Sequence, residues 1–260
     1  MLVLLVLLAV AAPLLTTHDP NDTDLVNKLL PLGQDGHVLG TDDLGRDAFS
    51  RLLYGARISI LAPFIAVGVG LVIGVPTGLL AGFHGGWLDA VLGRVADALL
   101  ALPGLILAIA IVAARGPGTV NAMTAVGVAF APRLFRVVRG AAMEVRQETF
   151  VEASRAAGAS SRRLIFGHVL PNILPPLVVQ ASVLLGFGVL TEAGLSFLGI
   201  GVQPPDASWG VLLRRGFDHL QAAPHLSWPP GLMIMVLTLC FQFIGDGIRD
   251  SFGREIRREG

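Results

Sequence analysis

From Ile58 to Phe83 the chain runs 26 residues without one charged side chain. A helix of that length rises about 39 Å at ~1.5 Å per residue, and the hydrocarbon core of a bilayer is roughly 30 Å thick. A large soluble helical core is the alternative, and the charge-free length argues against it. The composition agrees: 15% of residues are charged and 53% hydrophobic, with mean hydropathy +0.70, whereas soluble domains carry about 25% charged residues. The formal net charge is zero, which argues against a nucleic-acid partner. The single cysteine, Cys240, excludes an internal disulfide and a cysteine-based zinc cluster. The single lysine, Lys28 in "LVNKLL", is neither preceded by glycine nor followed by Ser or Thr. A lysine-bearing phosphate loop is therefore absent.

Six apolar runs emerge: Leu2 to Leu15, Ile58 to Phe83, about Ala98 to Ala114, about Gly116 to Pro132, Ile173 to Thr191, and about Pro229 to Gly245. They predict an all-α, polytopic membrane bundle of about six spans. Glycine and proline recur inside them, which a bundle tolerates because neighbouring helices re-satisfy the backbone and small residues allow close approach. The first run is short and has no basic residue before it, unlike a secretory signal. It reads as a spanning helix lacking its cytoplasmic lead-in, through a late start codon or trimming.

Arginine sets the expected orientation. Arg136, Arg139, Arg146, Arg155, Arg162 and Arg163 lie between the fourth and fifth runs, and Arg249, Arg254, Arg257 and Arg258 follow the sixth. Cytoplasmic loops are enriched in Lys and Arg. Both termini are thus expected in the cytoplasm, and Thr16–Arg57 and Ser196–Trp228 outside. Lys28, Arg46, Arg51 and Arg57 in the first outer segment are a counter-signal. Residues 136–148 are not expected at mid-bilayer depth, where their five charges at about 2.5 kcal/mol each would cost about 12 kcal/mol.

Between the fourth and fifth runs lies a polar stretch, "ETFVEASRAAGASSRRLIFGHVLPN", from Glu148 to Asn172. The spacing of Phe150, Ala153 and Ala157, then of Leu164, Ile165 and Val169, gives two short helices an apolar face each. Gly158 sits at the junction, where a left-handed turn is easiest for glycine. Ser160 and Ser161 are suitable N-caps. Pro171 is expected to end the second half, with Leu170 biased to an extended conformation. An ordinary interfacial amphipathic linker fits the same pattern.

The residues of this stretch resemble the EAA motif of binding-protein-dependent ABC importers: Glu-Ala-Ala, three residues, Gly, nine residues, Ile, one residue, Leu-Pro. Glu152, Ala153, Gly158, Leu170 and Pro171 occupy the matching positions. Ser154 replaces the third motif residue, and His168 stands in place of Ile, as in the "HILPN" of the peptide-transporter branch. "LGTDDLGRDAFSRLLYGARISI" (Leu39–Ile60) and "TEAGLSFLGIGVQPPDASWG" (Thr191–Gly210) are similar to segments of the C-type permeases of dipeptide, oligopeptide and nickel importers. "GDGIRDSF" (Gly245–Phe252) resembles that branch's C-terminal close, with Ser-Phe as a departure. The resemblance implies a type I importer permease fold whose elbow is a cytoplasmic coupling helix, with Glu152, Ala153, Gly158, Leu170 and Pro171 carrying the ATPase contact. It divides the chain into a first transmembrane helix (1–15), an external segment (16–56), a permease domain (57–250) and a cytoplasmic tail (251–260). It implies two ATPase subunits, a second homologous permease, an extracytoplasmic solute-binding protein and a bacterial cytoplasmic membrane. Short peptides are the expected cargo, with nickel or another small solute as the alternative. The rival of another class is a stand-alone secondary transporter, which would favour inverted repeats and mid-membrane charges.

Glu192, inside the fifth apolar stretch, is a functional candidate because ionisable groups within spans are costly; a helix-end residue bonded to a loop is the plainer reading. Asp97 and Asp246 are expected to bond locally. The six histidines (His18, His37, His84, His168, His219, His225) all lie outside the apolar centres. His219 and His225 share an outer loop at a spacing that matches no metal motif, and a structural or solvated role is expected; neither metal nor cofactor is expected, and no catalytic grouping is visible.

Overall fold

The computed structural model describes residues 1–256. Arg257 and Arg258 of the expected tail lie outside them. Among the described residues there is no β-strand, only an isolated antiparallel bridge between Thr41 and Asp47. The helices are α1 (Leu2–Val10), α2 (Ala12–Leu15), α3 (Ala48–His84), α4 (Gly86–Leu100), α5 (Gly104–Arg115), α6 (Thr119–Val145), α7 (Thr149–Ala156), α8 (Ser161–Leu164), α9 (Leu170–Phe197), α10 (Trp209–Asp218) and α11 (Trp228–Ile256).

Ala48–His84, Ser161–Phe197 and Pro224–Ser251 are each long and apolar enough to cross a bilayer. Helices α4 and α5 are together long and apolar enough for one more crossing, but they meet at 90°. The sequence pattern predicted one run from Ala98 to Ala114. The structure breaks it at Pro103, which lacks a backbone donor and disfavours helix at Leu102. The remaining apolar runs correspond to α1–α2 and to the first half of α6.

The chain divides into two compact units, and helices α3, α5, α6, α9 and α11 contribute to both. The first unit comprises Met1–Ile65, Ile109–Met123 and Leu185–Phe241. Its core joins Leu5 and Ala9 of α1, Leu52, Ala56 and Ile60 of α3, Val189 and Ala193 of α9, Trp209 of α10, and Leu237 and Phe241 of α11. Trp209 is buried, and its indole N–H donates to the Leu52 carbonyl at 3.0 Å. Helix α3 begins ten residues before the charge-free run because Asp47 caps it: the carboxylate accepts from the Ser50 amide at 2.7 Å.

The second unit comprises Ala66–Ala108, Thr124–Leu184 and Gln242–Gly260. Lipid tails are as apolar as leucine, so helices in a bilayer associate by close packing instead of the hydrophobic effect. Helix α3 supplies the surface for that packing. Gly70, Gly74, Gly78 and Gly82 recur every fourth residue and line one face against α6. A Cβ at Gly74 would sit 2.7 Å from the Ala131 carbonyl, and one at Gly82 2.6 Å from that of Arg139. No side chain fits there. Outside the stripe, α4 is tied to α6 by ion pairs of Asp89 with Arg139 and Asp97 with Arg136. Asp97, expected to bond locally, thus finds its partner on another helix.

Candidate functional site: the elbow and the buried carboxylate

Helix α7 is only eight residues long, and a Schellman turn closes it. The Gly158 amide donates to the Arg155 carbonyl and the Ala159 amide to that of Ser154. Gly158 has φ 85°, the left-handed region. The next helix starts at once, with Ser160 Oγ accepting from the Arg163 amide at 3.4 Å. Of the two candidate caps, Ser160 fills the role.

Pro171 does not end the second half. Leu170 has φ −57°, ψ −46°, and its amide donates to the Ile165 carbonyl five residues back. Ile165–Val169 form a π-helical turn that joins α8 to α9. The wider turn admits the proline, which has no amide to donate and would crowd the carbonyl four residues earlier in a regular helix. The second arm of the elbow is therefore continuous with a 37-residue helix, Ser161–Phe197.

The elbow's burial is uneven. Leu164, Ile165 and Val169 are buried, as their spacing predicts. In the first arm Val151 is the buried residue, whereas Phe150 is 43% exposed and Ala153 and Ala157 face solvent. The predicted apolar face of α7 exists and remains uncovered. Of the motif residues, Glu152, Ala153, Gly158 and Pro171 are exposed and Leu170 half-buried. His168 closes the angle between the arms: its Nε2 lies 3.5 Å from Ser154 Oγ and its ring 6.0 Å from that of Phe150. Behind the elbow, Arg146 donates to the Phe83 carbonyl at 3.1 Å, and the Arg155 guanidinium lies 5.8 Å from the Phe83 ring. The end of α3 is thereby held to the elbow. No sequence pattern marked Val151, Arg146 or Phe83 for these roles, because each depends on a partner far along the chain.

Glu192 belongs to a different arrangement, wholly within the first unit. It is 1% exposed. Ser196 Oγ donates to it at 2.7 Å and Ser59 Oγ at 3.4 Å, and Ser208 adds a side-chain bond. Ser59 Oγ also accepts from the Trp209 amide at 3.0 Å, and Ser196 Oγ from that of Val202 at 3.1 Å. The carboxylate thus pins α3, α9, the loop after α9 and the start of α10 to one point. A buried carboxylate needs such partners, since burial without them is costly.

"GTDDLGRDAFSR" (Gly40–Arg51) is built in a similar way. Asp42 accepts from the Leu44 and Arg46 amides and from Arg46 Nε and Nη2, at 2.6–3.1 Å. Arg51, 1% exposed, reaches the Pro20 carbonyl at 2.8 Å and Asn21 at 3.2 Å.

These features hold a bundle together and present one short, firmly seated helix. Comparison with known proteins gives the family. Residues 74–258 match the family described as binding-protein-dependent transport system inner membrane component. A dipeptide transport system permease protein of Alkalihalophilus pseudofirmus is 41% identical over 97% of this chain and 83% of its own length. A probable D,D-dipeptide transport system permease protein of Escherichia coli is 43% identical over 96% and 83%, and a glutathione transport system permease protein of Pectobacterium atrosepticum 39% identical over 98% and 84%. Among solved structures, an inward-facing form of the MetNI methionine ABC transporter shares the fold at TM-score 0.66 and 23% identity, covering 78% of this chain and 96% of that one. The chain belongs to the family of binding-protein-dependent transport system inner membrane components, the membrane-spanning permeases of ABC importers.

Proposed function

We propose that this permease carries short peptides through an importer driven by separate ATPase subunits, and that its elbow receives the ATPase motion. The elbow geometry carries this reading. One arm is anchored by Val151 and turns at a left-handed glycine, and the other runs without interruption into α9. A push on the exposed face of Phe150, Ala153 and Ala157 reaches the spanning helix with little slack. ATPase closure then draws this elbow toward that of a second, homologous permease and reorients the pathway between them, a rigid-body transition. An extracytoplasmic binding protein delivers the solute.

The proposed orientation places the elbow in the cytoplasm and Thr16–Arg57 outside. The arginines that opposed it have partners inside the first unit. Arg46 and Arg51 are buried, and Arg57 donates to the Ala9 carbonyl at 2.8 Å. The exposed arginines Arg155, Arg162 and Arg163 are on the elbow. The peptide assignment rests on the names of the relatives and on a chemical point: nickel favours nitrogen and softer donors, whereas the spans offer one thiol, Cys240, and no histidine at mid-depth.

Two measurements test this reading. With Cys240 replaced, a cysteine at exposed Asp206 should react with an impermeant thiol reagent in intact cells, and one at Ser161 should not; the reverse labelling inverts the topology. In cells with the complete transporter, excess di- to pentapeptides should block uptake of a labelled dipeptide. Uptake abolished by nickel chelates but untouched by peptides would overturn the cargo.

A further inference from the structure

Three side chains far apart in the first 47 residues converge in the first unit. His18 follows α2, His37 follows the 3-10 turn Gln34–Gly36, and Asp47 caps α3. One ligand atom from each lies within 4.8 Å of the other two. His37 Nδ1 and Asp47 Oδ1 are 2.9 Å apart, and the two imidazole rings are 4.4 Å apart, tilted by 32°. The His37 and Asp47 side chains are 14% and 4% exposed.

The placement exceeds what a simple hydrogen bond requires. Asp47 already has a structural task through its other oxygen, which accepts from the Ser50 amide. Its Oδ1 is left to face His37, and a second imidazole is brought alongside. Two nitrogen donors and a carboxylate oxygen form a donor set of the kind that zinc accepts, at about 2.0–2.2 Å per bond, with a fourth position for water. Two ligands of one zinc ion stand roughly 3 Å apart, close to the His37–Asp47 separation. Drawing in His18 takes a shift of about an ångström or two along a loop without regular structure. The other carboxylate contact, to the Ser50 amide, would orient Asp47 as outer-shell hydrogen bonds orient metal ligands.

We infer that His18, His37 and Asp47 bind one divalent ion of the zinc class, which fastens the segment after the first helices to the N-terminus of α3. The ion takes the place of the proton between His37 Nδ1 and Asp47. It closes a loop of about 29 residues that has little regular structure, so its binding contributes to the folding of that segment. The site lies outside the apolar centres of the spans, and the role is a structural clasp independent of the cargo.

The test uses the full chain with any affinity tag removed, stripped by chelator and titrated with zinc in detergent. The expected result is one zinc per chain and a raised melting temperature. The pair His18→Gln and His37→Gln should weaken binding by roughly 100-fold or more, while His84→Gln and His219→Gln should leave it unchanged. Absence of zinc binding, or equal affinity in the first pair, would overturn the site. If that pair does not fold, cobalt in the unmodified chain decides the question. An intense visible spectrum of four-coordinate cobalt supports the site, and the faint spectrum of six-coordinate cobalt refutes it.

Discussion

The Gly40–Arg51 segment and the elbow are both short, charged pieces between apolar helices, and they treat charge in opposite ways. In the first, Asp42, Arg46, Asp47 and Arg51 are all 1–4% exposed, and their partners are inside the same unit. In the elbow, Glu152, Arg162 and Arg163 are exposed and, among the described residues, form no ion pair. Its buried groups are aliphatic: Val151, Leu164, Ile165 and Val169. A charge that is buried and paired fixes a shape, because removing one member strands the other. An exposed charge fixes nothing locally and remains available to another surface. The difference separates a segment whose charges are paired within its own unit from the elbow, which is proposed to meet the ATPase.

The contrast makes graded predictions. Asp42→Ala strands Arg46 without its carboxylate and should cost about 3–5 kcal/mol, seen as a sharp loss of folded protein and a lower melting temperature in detergent. A change below about 1 kcal/mol would remove the claim that this segment is held by its charges. Gly78→Leu drives a side chain toward the Phe135 carbonyl, 2.8 Å from where a Cβ would stand. Overpacking of this kind costs about 1–3 kcal/mol, and unchanged thermal stability would show that α3 and α6 are not packed on the glycine face. The joint change of Arg162→Ala and Arg163→Ala should alter stability by no more than about 0.5 kcal/mol. It should nevertheless reduce uptake by the complete transporter. A loss of stability matching that of Asp42→Ala would erase the contrast.

Much of this was legible in the amino-acid order, and the exceptions share a cause. The Ile58–Phe83 run is unambiguous because its length exceeds any plausible soluble alternative. The elbow's turn is legible because Gly158 and Ser160 act through local hydrogen bonds. The break at Pro103 was obscured, since hydropathy stays high on both sides of a bend and carries no direction. Pro171 misled for the opposite reason: the rule that proline ends a helix is local, and the π-helical turn before it admits the ring. For α7, spacing defined an apolar face of Phe150, Ala153 and Ala157 without telling which neighbour would cover it. Val151 is covered by the chain itself instead. The Glu192 network was beyond sequence reasoning, because Ser59 is 133 residues away. Of the glycine stripe only the recurrence of glycine was read from the sequence, and the packing identifies both its face and α6 as the helix it meets.

The central claim is that the elbow transmits motion because its turn is fixed at a left-handed residue. Uptake by the complete transporter carrying Gly158→Val, compared with Gly158→Asn, tests it most directly. Valine is strongly disfavoured at positive φ, whereas asparagine is among the side chains that tolerate it. Both variants should insert in normal amounts, since nothing lies within 4 Å of a Cβ at this position. The account predicts that transport is lost with valine and largely kept with asparagine. Equal uptake by the two variants, at equal amounts in the membrane, would contradict it.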